Sequence, residues 1–142
     1  MKHNLILTLV SRLLIPLIFL FGLYVQFHGD FGPGGGFQAG VIFAAGIILY
    51  GLIFGVDTAK QIIAPFILKI LASFGLFLYA LTGVAALMLG GNYLEYTVLA
   101  DDQIAGQHLG ILVIEAGVGI TVMSVMLIIF FAFAERGQAT AD

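Results

Sequence analysis

The chain has 142 residues, of which 61% are hydrophobic and only 9% charged, and its mean hydropathy is +1.15. That leaves too little polar surface to coat a water-facing globule, so lipid is the natural solvent. A net charge of −3 provides no basic patch for nucleic acid, and the absence of cysteine excludes a disulfide framework and thiol-based redox or metal chemistry.

A helix that crosses the hydrocarbon core needs about 20 apolar residues, and four segments qualify. The first runs from about Leu5 to Phe27. Lys2 and Arg12 ahead of an apolar run imitate a secretion signal, but no small-x-small cleavage site follows Tyr24-Val25-Gln26-Phe27-His28, so the segment is expected to be retained. The stretch HGDFGPGGG, residues 28–36, is too rich in glycine and proline to continue a helix. The second helix spans Phe37 to about Val56 and closes at Asp57-Thr58. The third begins at Ile62 or Phe66, with Pro65 suited to its first turn, and ends at Leu89 before Gly90-Gly91-Asn92. The fourth spans His108 to Ala134, before Glu135-Arg136-Gly137. The predicted architecture is thus all-α: a single membrane domain of four transmembrane helices over residues 1–142. No internal repeat is evident.

With four spans, all five positive residues (Lys2, Arg12, Lys60, Lys69 and Arg136) fall on one side. The opposite loops, 28–36 and 91–107, carry Asp30, Glu95, Asp101 and Asp102 and no Lys or Arg. The positive-inside rule then places both termini in the cytoplasm, with Arg12 and Lys69 snorkelling to the inner interface. Tyr24, Tyr50, Tyr93 and Tyr96 sit near predicted helix ends, as an aromatic belt requires, and only Tyr79 is mid-span.

Four features bear on chemistry. In HGDFGPGGGFQAG, residues 28–40, three glycines after a proline permit backbone conformations closed to other residues, and the following helix start presents free N–H groups. Spacing alone favours a tight turn over a site, and the lack of a following Gly-Lys-Ser/Thr argues against a phosphate loop. Glu115 lies seven residues into the fourth helix from His108, which puts it about 10–12 Å below the surface on nearly the same face. A carboxyl inside a membrane is costly unless protonated, paired or hydrated. It reads equally as part of an outer-half proton or cation relay with His108 and as a structural carboxyl bonded to a neighbouring helix. The acidic surface of His28, Asp30, Glu95, Asp101 and Asp102 could concentrate cations, although a solvated loop explains it as well. Small residues at four-residue spacing (Gly36, Gly40 and Ala44; Gly51 and Gly55; Gly106 and Gly110) point to close helix packing, with no indication of whether the partner is internal. No metal or haem cluster and no Ser/His/Asp set is present, and so few ionisable groups lie within the spans that the chain reads as part of a larger machine.

The segments HGDFGPGGGFQAG (28–40), LGGNYLEY (89–96) and HLGILVIEAGVGITVM (108–123), with the apolar end of the fourth helix, resemble the MnhB family. Members of this family, also called MrpB, form the B subunit of the multisubunit Na⁺/H⁺ antiporter known as Mrp or Mnh. The likeness covers nearly the whole chain. It implies a non-catalytic subunit in a prokaryotic plasma membrane, assembled with subunits A, C, D, E, F and G, in a complex that exchanges cytoplasmic Na⁺ for external H⁺. No cofactor is expected, and Na⁺ and H⁺ are the transported species. Pro33, Gly34, Gly35, Gly36, Phe37 and Gln38 carry the family's loop motif. Glu115 carries the fourth-helix motif and is the leading ion-path candidate, followed by His108, Asp30 and His28. The alternatives are a purely structural assembly subunit, a subunit of a related ion-pumping complex such as a membrane-bound hydrogenase, and a homo-oligomeric channel or carrier acting alone.

Overall fold

A computed structural model describes residues 5–29 and 35–139. The helices are α1 (Leu5–His28), α2 (Gly36–Phe54), α3 (Val56–Ile62), α4 (Pro65–Met88) and α5 (Gln103–Ala139), with a 3-10 turn at Tyr96–Leu99. Among the described residues, four helices, α1, α2, α4 and α5, are long and apolar enough to cross a membrane. The chain is an all-helical, multi-pass membrane protein.

The helices form a row rather than a closed bundle. α5 packs between α2 and α4, and α1 lies against α2, meeting α5 only lightly. Both broad faces of such a row stay uncovered, and only 17% to 28% of each span is buried within the chain. Lipid or partner subunits must cover the remainder, because apolar side chains do not face water over whole membrane spans.

Local chemistry explains the joints. Gly55 adopts φ 104, a conformation that favours glycine, and its N–H bonds the Gly51 carbonyl, which ends α2. Gly55 therefore turns the chain and does not extend the packing row begun by Gly51. The next seven residues form α3, which carries Asp57 in its first turn and Lys60 in its last, as the helix dipole prefers. Sequence reading divides this segment between the second helix and a loop, because a seven-residue mixture of polar and apolar residues has no span signature. Ala64 is extended ahead of Pro65, which starts α4 at a position where the missing N–H costs little. The tightest core lies at this end, where Ala44, Ala59, Leu68, Leu127 and Phe131 join α2, α3, α4 and α5. Lys60 Nζ bonds Glu135 Oε1 at 2.6 Å, fastening α3 to the end of α5.

At the opposite end, α5 begins at Gln103, five residues earlier than hydropathy suggests. Asp102 caps it by accepting the Ala105 N–H at 3.1 Å. These first residues are polar, so they carry no hydropathy signal, yet the cap holds them helical. The loop before them is stitched down. Glu95 accepts bonds from the Asn92 backbone and side chain at 2.7 and 2.8 Å. The Tyr93 ring fills the notch left by Gly83 on α4, and the Tyr96 ring lies against Gly110 on α5.

Candidate functional site

The site is built where α1 ends, α2 begins and α5 passes both. Gly35 adopts φ 115, which again favours glycine, and donates its N–H to the Val25 carbonyl at 3.3 Å, folding the loop back onto the last turns of α1. That turn starts α2 beside Glu115. A Cβ at Gly29 would collide with both carboxylate oxygens of Glu115, and one at Gly35 would lie 2.8 Å from Oε1. A Cβ at Gly36 would run into the Glu115 backbone carbonyl. The Glu115 side chain thus rests, half-buried, in a cradle of two glycines, Gly29 and Gly35, at the start of α2, while Gly36 packs on its backbone. The first-turn N–H groups, which have no partner within the helix, and the positive end of the helix dipole favour negative charge there.

The same contact continues down the two helices. A Cβ at Gly40 would come within 2.6 Å of the Gly119 carbonyl and 3.0 Å of Val122 Cβ, and one at Gly119 within 3.1 Å of the Gly36 carbonyl. Gly36, Gly40 and Ala44 are all buried. The α2 small-residue row therefore packs on α5 of the same chain. The row at Gly106 and Gly110, expected to draw a helix close, instead receives Tyr96 and the backbone of the 96–99 turn.

The neighbouring helices show where the carboxyl lies along the row. α2 has 19 residues, about 28 Å at the usual rise, and so barely spans a hydrocarbon core of about 30 Å. Glu115 lies level with Gly36, the first residue of α2, and two residues before Gly117, which packs on the 75–79 stretch of α4; α4 runs on past that level as an apolar helix to Met88, so the carboxyl falls within the length of the neighbouring span. His108, seven residues earlier on α5, stands about 10 Å from Glu115 along the helix, and it is exposed. His28 ends α1 and stacks on Tyr24, with ring centroids 5.2 Å apart. Phe37 is 60% exposed and Gln38 is exposed, so both face outward from the chain. Asp30, Pro33 and Gly34 lie outside the described residues. Of the sequence candidates, the structure brings Gly35, Gly36 and Glu115 together and adds Gly29, which the sequence offered only as part of the glycine-rich loop.

Gln26 was missed altogether. It is a lone amide within an apolar helix; its side chain reaches the same α1–α5 contact, and its Oε1 lies 3.0 Å from the Cβ position of Gly119. A polar residue in the last turns of a span was the one signal that marked it.

Residues 6–128 match the family described as "Domain related to MnhB subunit of Na+/H+ antiporter". The chain is also 34% identical over 134 residues to the protein named "Putative antiporter subunit mnhB2" from Staphylococcus aureus strain Newman, covering 87% of this chain and 94% of that protein. The proteins of the same name from strains JH1 and COL match to the same extent.

Proposed function

The chain belongs to the MnhB-related family and is a membrane subunit of a multisubunit Na⁺/H⁺ antiporter in the bacterial plasma membrane, and from that premise we propose that its Glu115 site forms part of the cation route. The observation that carries this reading is the Glu115 carboxyl, held in a glycine cradle at the start of α2. Gly29 and Gly35 let the carboxyl approach the backbone closely where side chains would otherwise fill the space. A negative group so placed attracts a cation or proton leaving water for the membrane-embedded part of the complex. In this reading the subunit performs no bond chemistry and needs no cofactor, the termini are cytoplasmic, and the site faces outward. The outward-facing Phe37 and Gln38 meet another subunit, drawn from A, C, D, E, F and G.

Glu115→Gln in the assembled antiporter tests this. The variant keeps the size and hydrogen-bonding reach of the side chain but not its charge or its titratable proton. Na⁺-dependent proton exchange in vesicles is expected to fall to a small fraction of wild type, with subunit composition unchanged. Normal exchange in that assembled variant would remove Glu115 from the route. A bracing role is the second reading, and the backbone-to-backbone contact of Gly36 and Gly40 with α5 favours it. Under bracing alone, Glu115→Gln is silent.

A further inference from the structure

Lys69 stands on α4 one turn before Ala72, whose carbonyl accepts the Thr121 hydroxyl of α5. α4 and α5 run antiparallel, with Gly75 against Gly117. That register sets Lys69 level with Ser124, eleven residues or about 16 Å short of Glu135. Between Glu115 and Glu135, α5 carries no ionisable residue. Leu68 is buried in a cluster with Leu127 and with Ala44, near the middle of α2. Lys69 thus lies at a level where the neighbouring helices are apolar. It is exposed, because successive helix residues point about 100° apart and Leu68 takes the inward direction. The snorkelling expected from sequence suits Arg12, whose guanidinium lies 5.7 Å from the ring centre of Phe54, the last residue of α2. The four-carbon stem of Lys69 is too short to reach the Glu135 end. Among the described residues its ammonium has no ion-pair or hydrogen-bond partner.

α4 ends the row of helices, and its free side forms a groove of about 470 Å³ lined by Lys69, Ile70, Ser73, Phe74 and Phe77. The Ser73 hydroxyl is engaged by the Lys69 carbonyl at 3.0 Å, so the ammonium is the one charged group the groove offers. An ammonium among apolar groups without a counter-charge is costly. An acyl chain would fit the groove but brings no charge, and the phosphates of its lipid lie outside the hydrocarbon. A second copy seated on the same face would set lysine against lysine. A carboxylate supplies the missing charge and acceptor oxygens together. We propose that this groove seats a membrane-spanning helix of another antiporter subunit, with an Asp or Glu of that helix paired to Lys69. Apolar helix faces slide past one another freely, and one such pair sets the register of the two subunits.

Photocrosslinking from p-benzoylphenylalanine in place of Phe77, in the intact antiporter in its native membrane, tests this. The expected product joins this chain to a different antiporter subunit, at a membrane-spanning segment that carries Asp or Glu. Lys69→Met should lower the yield several-fold, and Lys69→Arg should keep it. Lys69→Glu should reduce recovery of the assembled complex several-fold, and lysine in place of the partner's acid should restore it. Cross-links confined to phospholipid, cross-links to a second copy of this chain, or none at all would overturn the docking. A cross-linked span without an acid, or a yield unchanged in Lys69→Met, would overturn the pairing. So would a loss common to Lys69→Met and Lys69→Arg that charge exchange does not repair. Glu115 has no part in these readouts, so the two ideas stand or fall separately.

Discussion

Two glycines that touch the same glutamate should respond differently to the same added methyl group. At Gly29 the new Cβ meets the free end of the Glu115 side chain, which can rotate away. At Gly36 it meets the Glu115 backbone carbonyl, and α2 and α5 must separate. Gly29→Ala is therefore expected to leave the complex assembled but to displace the carboxyl and depress Na⁺-dependent exchange. Gly36→Ala is expected to destabilise the chain by about 1–3 kcal/mol, the usual cost of overpacking, visible as a lower melting temperature and reduced recovery of the complex. Equal effects on assembly would contradict the cradle geometry. Glu95 supplies a test in the loop. Bonds from the Asn92 backbone and side chain hold its carboxyl below the ordinary value of 4.5. A depressed folded-state value contributes stability above the unfolded-state value and loses it as pH falls through the folded one. Protection of the 92–97 backbone against hydrogen exchange should accordingly stay constant from neutral pH down to about 4.5 and decline only below. A decline beginning above that point would contradict the bonding.

The elements owe their stability to close backbone approach rather than to charge. Gly75 on α4 admits Gly117 and Thr121 of α5, and the Thr121 hydroxyl bonds both the Gly117 carbonyl at 2.9 Å and the Ala72 carbonyl at 3.3 Å. Interfaces of this type suit lipid, where apolar surface by itself gives helices no reason to associate. The Lys60–Glu135 pair is different. Glu135 is 60% exposed, and an exposed ion pair contributes little net energy. Lys60→Met should shift stability by less than about 1 kcal/mol, measured as the thermal unfolding midpoint in detergent. A larger loss would show that the pair, and not the Ala59–Leu68–Phe131 core, fixes α3. The element boundaries show the reach and limit of sequence reading. Hydropathy marks residues that lie in lipid, and it is blind to the helical extension at Gln103 and to the polar short helix α3. Asp102 as a capping residue was the overlooked sign of the first; the second offers none strong enough to use.

For the molecule as a whole, the row of helices implies two broad faces that other subunits or lipid must cover, in agreement with membership of a multisubunit complex. The chain has no cysteine, so single introduced cysteines report topology without background. With membrane-impermeant maleimide on intact cells, Asp101→Cys is expected to label and Thr58→Cys to remain unlabelled until the membrane is opened. The reverse pattern would invert the proposed orientation. What the sequence determined by itself was the solvent, the number of spans and the family. Each follows from composition and motif: some 20 consecutive apolar residues suffice to cross the hydrocarbon core, and a glycine-proline run interrupts a helix. Tertiary structure alone decided that the α2 glycine row faces α5 of the same chain, that Gly106 and Gly110 receive a tyrosine loop, that Gly29 and Gly35 cradle Glu115, and that Gln26 reaches Gly119 of α5. None of these is periodic along the chain. Each depends on which helix neighbours which, and in lipid, where apolar side chains are equally content on any face, that choice is made by the few places where two backbones can come close enough to touch.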